Sequence, residues 1–369
     1  MLELRNVEKH FKKPIRGKGV WGMVKSLFSR KHTLVRAVDG VSFTVDDGEA
    51  IGYIGANGAG KSTTIKMMSG ILTPTSGEIL IDGLHPYKNK ERNAVLKTIG
   101  VVFGQKTQLW YDLPLTETYE LLRYIYDVSE TDYKRRMGEL IELLDMSSFL
   151  DAPVRTLSLG QRMRADLAAA MLHNPKTLFL DEPTIGLDVL VKRNLIDAIN
   201  RIRKEYNTTL ILTTHAMSDI ELLCKRVIIL DAGKVLYDGS LESVKHMFGD
   251  RRDITLETAT PIDASIIEKK FRLEKISSEN EGTHTTFTVD ADVQPVNELL
   301  NYLLSEYSVR DVKIVETGIE QIVSKIYEKN NILIDGMKIT SDIADSEPCG
   351  KDKNGECKSE DKCDNEEQA

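Results

Sequence analysis

The sequence predicts an α/β fold over residues 1–245, followed by a small α+β domain and a polar tail. From Met1 to about Gly239, short apolar runs alternate with segments of helical periodicity, which is typical of α/β proteins. After Gly249 the pattern changes to strand–helix–strand–strand–helix–strand over about 251–330. That order is typical of a ferredoxin-like α+β domain.

The elements of the first region can be followed along the chain. LELRNV and VSFTV predict strands, and GEAIGYIG predicts a strand that runs into a Gly-rich turn. KSTTIKMMSGIL predicts a helix in which Ile65, Met68 and Ile71 share one apolar face. Thr116–His173 is predicted to be mostly helical, in the segments TETYELLRYIY, YKRRMGELIELLDM and GQRMRADLAAAMLH. Strands return at TLFLDEP, TTLILTTH and RVIILDAG.

The second region contains no catalytic cluster, so we interpret it as regulatory or dimer-supporting. DITLET, RLEKISS, THTTFTV and VRDVKIVE predict its strands, ASIIEKKF and PVNELLNYLLSEY its helices, and IEQIVSKIYEK an extra helix. Residues 331–369 are acidic and lack aromatic side chains, which predicts a disordered tail. The spacing of Cys349, Cys357 and Cys363 does not fit a standard zinc site, so we expect a solvated tail.

The composition excludes several classes of protein. With 41% hydrophobic and 29% charged residues, the chain is typical of soluble globular proteins. No apolar run reaches the ~18 residues that a membrane span requires, and the N-terminus lacks the apolar core of a signal peptide. We therefore expect a cytoplasmic protein. Of the net charge of −8, −6 lies in residues 341–369, which hold ten Asp/Glu and four Lys. The rest of the chain is nearly balanced, with 45 Lys/Arg and 47 Asp/Glu, which argues against a broad nucleic-acid surface.

The stretch GANGAGKST carries the strongest chemical signal. It fits the phosphate-loop pattern G-x-x-x-x-G-K-[ST], and it lies between a predicted strand and a predicted helix, as the mechanism requires. Glycines let backbone N–H groups approach phosphate oxygens, and the helix N-terminus adds a favourable dipole. Lys61 supplies a charge for the β- and γ-phosphates, and Ser62 a hydroxyl for Mg²⁺. The candidate ligands are Gly55, Asn57, Gly58, Ala59, Gly60, Lys61, Ser62 and Thr63.

A second signal, TLFLDEPT, delivers two carboxylates to the end of a buried strand. Asp181 can hold Mg²⁺, and Glu182 can polarise the attacking water as a general base. Acidic residues at a strand end are often only solvated or helix-capping. The upstream phosphate loop favours the catalytic interpretation.

LSLGQ, spanning Leu157–Gln161, comes before the DEPT stretch and opens a predicted helix. With GANGAGKST and LDEPTIGLD, it makes Met1–Gly239 resemble the ATP-binding cassette (ABC) ATPases, whose signature is usually LSGGQ. The resemblance implies a phosphate-loop NTPase cassette, with a mixed-sheet core and a helical subdomain at about 106–165, ahead of the ferredoxin-like domain. Leu159 replaces the first glycine of the signature pair, but we expect the γ-phosphate contact to survive.

The resemblance also implies roles for further residues and for two cofactors, ATP and Mg²⁺. Gln105 matches the Q-loop glutamine, which senses Mg²⁺ and the γ-phosphate, and His215 matches the switch histidine. Asp188 belongs to the D-loop. In this family two cassettes meet head to tail, so we expect a second cassette, identical or paralogous, whose ATP site is completed by Ser158, Gly160 and Gln161.

The adenine site has two candidates. The motif EKHF selects Phe11 as the stacking aromatic of the family, whereas the usual separation from the phosphate loop selects a position near His32. The two disagree because a basic segment, residues 12–34, interrupts the cassette. We favour Phe11, since stacking requires a flat apolar face.

The resemblance implies a transporter subunit that powers a separate multi-span membrane permease, by family similarity an exporter, from the inner face of the cell membrane. Trp110 and Tyr111 are candidates for the permease contact, or else for packing within the helical subdomain. Within the insert, Trp21 and the basic residues around it predict an amphipathic helix that contacts the membrane or the permease, or else a solvated loop. The alternative function is a soluble ABC ATPase that acts on ribosomes or nucleic acid.

Overall fold

The structure, a computed structural model, describes residues 1–14, 32–104, 106–246 and 251–316, together with Ile322, Val323 and Ile326. Several predictions concern other parts of the chain. Gln105, residues 15–31 of the insert, most of the extra helix and the tail 331–369 lie outside the described residues.

Strands account for three sheets in the described part of the chain. In chain order they are β1 (Leu2–Pro14), β2 (His32–Val45), β3 (Ala50–Gly55), β4 (Ser76–Ile81), β5 (Ile99–Phe103), β6 (Thr177–Asp181), β7 (Thr209–Thr213), β8 (Arg226–Asp231), β9 (Lys234–Ser240), β10 (Arg251–Thr258), β11 (Lys275–Glu279), β12 (His284–Asp290) and β13 (Val309–Glu316).

Helices connect these strands and form a largely helical stretch between β5 and β6. They are α1 (Lys61–Met68), α2 (Asn89–Leu96), α3 (Leu115–Ile125), α4 (Glu130–Leu143), α5 (Leu159–Met171), α6 (Val189–Tyr206), α7 (Met217–Leu223), α8 (Leu241–His246), α9 (Ala264–Lys270) and α10 (Val296–Glu306). None of the helices in the described residues is long and apolar enough to cross a membrane.

The six-stranded central sheet has the order β5-β6-β7-β3-β8-β9. Its strands pair in parallel, except for β9, which is antiparallel to β8. The continuous apolar runs of β3, β6 and β7 are buried, as is typical of parallel strands that are covered on both faces of the sheet. Their carboxyl ends meet at one edge, where ligands bind in open α/β sheets. The structure therefore confirms a mixed-sheet cassette fold with helices.

The second sheet, of order β2-β1-β4, is antiparallel and packs into the same core as β3. In its β1–β2 pair, Leu2 lies opposite Val45, and at the other end Pro14 lies opposite His32. The pair is longer than LELRNV and VSFTV predicted. The insert is thus attached to the far end of a two-stranded ribbon.

For Ile71, which the sequence pattern placed on the apolar face of the helix after the phosphate loop, the structure differs from the prediction. Ile65 and Met68 are fully buried, but Ile71 is 55% exposed and lies beyond the end of α1. The helix ends because Gly70 adopts a left-handed φ of 70°. The prediction that Ile71 shares the buried face is therefore wrong.

Residues 251–316 form a separate four-stranded antiparallel sheet of order β11-β12-β10-β13, with α9 and α10 in the connections between strands. The alternating pattern of β10 and β12 puts one set of apolar side chains on a buried face. This core contains Ile254, Leu256, Ile262, Ile267, Phe287, Val289, Leu299 and Leu303.

Candidate nucleotide site

The phosphate loop joins β3 to α1, as its sequence context requires. Gly58 and Gly60 have φ values of 87° and 107°, a region that side chains other than glycine rarely adopt. A Cβ atom on Gly60 would lie 2.5 Å from the carbonyl oxygen of Ala37. The backbone of β2 therefore lies directly behind the loop, and glycine is required for that close approach.

Lys61 lies over the loop and is almost completely buried, with 6% of its surface exposed. Its Nζ atom donates to the carbonyl oxygens of Gly55 at 2.6 Å and Ala56 at 3.2 Å. Burial lowers the pKa of this ammonium below its ordinary value, although the carboxylates of Glu182 and Asp181 act in the opposite direction. The Lys61 charge is thus held between the loop and the two carboxylates.

Asp181 is the point where three elements meet. Its Oδ1 atom accepts from Ser62 Oγ at 3.3 Å and from Thr213 Oγ1 at 2.6 Å. A hydroxyl and a carboxylate are the hard oxygen ligands that Mg²⁺ prefers. Within the described residues no cluster of three or more His, Cys, Asp or Glu side chains could hold a metal. Ser62 and Asp181 offer two such oxygens, and Mg²⁺ usually keeps phosphate and water oxygens in its other positions.

Glu182 and His215 face each other across the ends of β6 and β7. His215 Nε2 lies 2.9 Å from Glu182 Oε1. The Glu182 backbone is left-handed, with φ 56°, and its N–H donates to Thr213 O at 2.9 Å and Thr213 Oγ1 at 3.2 Å. Strained backbone of this kind persists only where neighbouring groups hold it, and it is often found at functional sites.

A cavity of about 310 Å³ opens beside these groups. It is lined by Ser62, Lys66, Ile71, Phe103, Gly104, Lys106, Asp181 and Glu182. The cavity thus joins Ser62 and Asp181, the candidate metal ligands, to Glu182 and to both neighbours of Gln105.

Gly104 also contributes to this site, and no sequence motif singled it out. Its N–H donates to Asp181 O at 2.8 Å. A Cβ atom on Gly104 would lie 2.0 Å from Glu182 O, so only glycine fits between the two segments. The backbone that leads into Gln105 therefore rests on the backbone of Asp181 and Glu182.

The signature stretch forms the N-terminus of α5. Ser158 Oγ accepts from Gln161 N at 3.2 Å, and Gln161 Oε1 accepts from Ser158 N at 2.9 Å, which makes a capping box. A Cβ atom on Gly160 would lie 2.5 Å from Val191 Cγ1. None of the hydrogen bonds or ion pairs described for this chain joins Ser158, Gly160 or Gln161 to the phosphate loop.

Asp188 caps the next helix, α6, by accepting from Val191 N at 3.0 Å. Just before it, Gly186 has a left-handed φ of 73°, and a Cβ atom there would lie 3.1 Å from Leu159 Cδ2. Leu159, the residue that departs from the usual signature, therefore packs against the segment that contains Asp188.

Comparison with known proteins identifies the family. The family described as ABC transporter matches residues 38–185. The ABC transporter ATP-binding protein NatA of Bacillus subtilis is 33% identical over 217 residues, which cover 59% of this chain and 87% of NatA. This chain is an ATP-binding protein of the ABC transporter family. It binds ATP with Mg²⁺ and hydrolyses ATP, as its cassette implies.

Two further matches extend the comparison. The linearmycin resistance ATP-binding protein LnrL of Bacillus subtilis is 27% identical over 300 residues, covering 81% of this chain and 93% of LnrL. Among solved structures, the dimeric post-hydrolysis state of the ATP-binding cassette MJ0796 bound to ADP and Pi matches with a TM-score of 0.55 and 26% identity. That match covers 65% of this chain and 99% of the cassette.

The two adenine candidates of this ABC cassette lie at different distances from the phosphate loop. Phe11 pairs with Val35, two residues from Ala37, which lies behind Gly60. At ~3.4 Å per residue, Val35 is about 7 Å from that contact along β2, and His32 about 17 Å. Phe11, with 40% of its surface exposed, is therefore the nearer candidate.

Asp166 is a second residue that the sequence did not single out in this cassette. It is buried on α5 and accepts from Thr107 Oγ1 at 2.9 Å and Gln108 N at 3.1 Å. Burial raises the pKa of its carboxyl to about 6, although both hydrogen bonds and Arg162 act in the opposite direction. Asp166 thus ties the segment after Gln105 to the signature helix.

Asp166→Asn is expected to change how stability depends on pH. The folded state binds the Asp166 proton more tightly than the unfolded state does, so its contribution to stability is lost as the pH rises through about 6. Relative to the wild type, the variant should gain about 1.4 kcal/mol of unfolding free energy between about pH 5 and about pH 7.5. Urea unfolding of both proteins at both pH values measures this difference, and a difference of zero would contradict it.

Proposed function

We propose that this chain uses Glu182 and His215 to hydrolyse ATP and thereby powers a separate membrane permease, as an exporter. The observation that carries this proposal is the 2.9 Å approach of His215 Nε2 to Glu182 Oε1, beside Asp181 and the phosphate loop. Bound Mg²⁺ would supply charge neutralisation between the phosphates. Ser62 and Asp181 would hold it, together with Gln105 by family resemblance.

Each group then has a distinct role. Lys61 turns from the loop carbonyls towards the β- and γ-phosphates. Glu182 Oε1 or Oε2 accepts a proton from the attacking water, because a carboxylate at the cavity wall is an effective general base. His215 orients that carboxylate and contacts the γ-phosphate. Phe11 stacks on the adenine, which its exposure and its closeness to the loop support.

Ser158, Gly160 and Gln161 act on the ATP of a second cassette. Their position at a helix N-terminus suits contact with a γ-phosphate. The lack of hydrogen bonds to their own phosphate loop in the described structure, and the dimeric form named for the MJ0796 cassette, both support this role in trans. Asp188 would lie at the same interface. The second cassette is either a copy of this chain or a paralogue.

The permease contact is proposed to include Trp110 and Tyr111. Their exposed fractions of 40% and 58% favour docking over packing inside the helical subdomain. A shallow, open groove of about 450 Å³ lies on α3, which begins four residues after Tyr111. It is lined by Thr116, Glu117, Glu120, Leu121 and Tyr124. An apolar groove with an acidic edge suits an amphipathic helix of the partner.

Export is the proposed direction because LnrL is named for linearmycin resistance and matches most of this chain. The methionine import ATP-binding protein MetN of Geobacillus kaustophilus is 34% identical over 227 residues, and its name gives the opposite direction of transport. For residues 251–330 we propose a ferredoxin-like domain with a regulatory or dimer-supporting role. The strand order β11-β12-β10-β13 supports that fold. The proposed location is the inner face of the cell membrane.

Replacing both Trp110 and Tyr111 by Ala is expected to weaken association with the permease at least about tenfold, because large buried aromatics dominate such contacts. The tagged full chain is purified from native membranes in mild detergent, and the co-purified multi-span protein is quantified. Leu222→Ala, at an exposed apolar residue on α7, serves as the control and should retain the partner. Recovery of the wild type with ribosomes instead of a membrane protein would contradict the transport function.

A further inference from the structure

A buried carboxylate lies behind the Glu182–His215 pair. Asp219, on α7, has no exposed surface. Its Oδ2 atom accepts from Thr184 Oγ1 at 2.7 Å and from Thr214 Oγ1 at 3.2 Å. Its other oxygen, Oδ1, lies 2.9 Å from Lys192 Nζ on α6. Four segments of the chain therefore meet at one carboxyl group.

Two of these segments carry the candidate catalytic residues. Thr184 follows Glu182 by two residues, and Thr214 immediately precedes His215. Thr214 Oγ1 also accepts from Ala216 N at 3.0 Å, which fixes the backbone on the other side of His215. Asp219 thus joins the turn after Glu182 to the turn that presents His215.

This arrangement is costly unless it is fully satisfied. A buried carboxylate loses its hydration, and Lys192 together with two hydroxyl donors offsets that loss. Hydrogen bonds to an ionised group are shorter and stronger than neutral ones. The two Oδ2 bonds therefore link the turn after Glu182 to the turn before His215, and the 2.7 Å bond from Thr184 is the shorter of the two.

The left-handed backbone of Glu182 makes the separation between the Thr184 and Thr214 turns important for the direction of the Glu182 side chain. With φ at 56°, the direction of the Glu182 side chain depends on how the following Pro183 and Thr184 are anchored. A displacement of about 1 Å between a base and its target can lower a rate roughly 100-fold. The Thr184–Asp219–Thr214 bridge is placed to prevent such a displacement.

We propose that Asp219 is a positioning residue that sets the spacing between Glu182 and His215 through Thr184 and Thr214. It contacts neither ATP nor the attacking water. This inference rests on the proposed roles of Glu182 and His215 and assigns a new function to a residue outside the sequence motifs. Its expected effect is on the hydrolysis step, with little effect on ATP binding.

The test compares two substitutions at one position. Thr184→Val keeps the shape but removes the hydroxyl, and Thr184→Ser keeps the hydroxyl. In the full-length protein, Thr184→Val should lower kcat for ATP roughly 10- to 100-fold with KM within about twofold, and Thr184→Ser should restore kcat to within about threefold of the wild type. A wild-type kcat in Thr184→Val overturns the proposal. The proposal is also overturned if KM changes together with kcat in Thr184→Val and Thr184→Ser restores neither.

A second pair covers the case in which Thr184→Val fails to fold, as thermal unfolding would show. Thr214→Val and Thr214→Ser probe the same Asp219 oxygen and are interpreted by the same criteria. Glu182→Gln distinguishes a failure of the Asp219 proposal from a failure of the proposed role of Glu182 as the base. If Glu182→Gln abolishes hydrolysis while both valine variants keep wild-type kcat, the role of Asp219 alone is wrong. If Glu182→Gln stays active, the assignment of the base itself is wrong.

Discussion

Glu182→Gln is expected to lower steady-state ATP hydrolysis at least about 100-fold, because an amide cannot accept the proton that a general base removes. ATP binding should persist, since Lys61 and the phosphate loop are untouched and Gln has nearly the shape of Glu. The change also removes a negative charge near the Lys61 ammonium. The carboxylates of Glu182 and Asp181 both raise the pKa of Lys61 and so favour its charged form. That loss is expected to alter ATP affinity far less than hydrolysis.

Hydrolysis is measured by phosphate release and binding by a fluorescent ATP analogue, on the same preparations. Glu205→Gln makes the same chemical change at an exposed position on α6 and should leave both quantities unchanged. Turnover of Glu182→Gln near the wild-type rate would exclude Glu182 as the base. Loss of both binding and turnover would show a general disruption instead.

Gly104→Ala is expected to destabilise the protein by about 3 kcal/mol, at the upper end for an overpacked site. The new Cβ atom would meet Glu182 O at 2.0 Å, and its neighbours are backbone atoms that cannot rotate away. Relief requires the segment before Gln105 to separate from Asp181 and Glu182. Turnover should therefore fall together with stability in this variant.

Gly138→Ala is the matched control for that substitution. A Cβ atom on Gly138, in the middle of α4, would have no neighbour within 4 Å. Alanine there should stabilise the helix by roughly 0.5–1 kcal/mol. Urea unfolding of the two variants should thus give opposite signs. A Gly104→Ala protein as stable as the wild type would mean that the two backbone segments do not need their close contact.

The candidate site residues at the ends of the parallel strands were predictable, because each is marked by a pattern within one short stretch of sequence. The phosphate loop and the Asp181–Glu182 pair each follow a short apolar run, and parallel strands bring their carboxyl ends to one edge. The capping box of Ser158 and Gln161 also follows from residues three positions apart. Such features depend on spacing within one segment, so the sequence alone locates them.

Gly104, Asp166 and Asp219 could not be found in this way. Each acts through a contact with a segment far along the chain, such as Asp219 with Thr184 or Gly104 with Glu182. A single sequence gives no register between distant segments. The error at Ile71 has another cause: helical periodicity continued past Gly70, whose left-handed backbone had already ended the helix. The positions of the candidate residues were thus more predictable than the groups that support them.

The β1–β2 ribbon has a consequence for how this cassette accepts additional sequence. Because Pro14 and His32 are direct partners, the two ends of the segment that joins them lie close together, about 5 Å apart. Lengthening a loop between such fixed ends adds only about 0.6 kcal/mol for each doubling of its length. Segments of very different size can therefore be exchanged at this position while the strand pairing behind the phosphate loop stays the same.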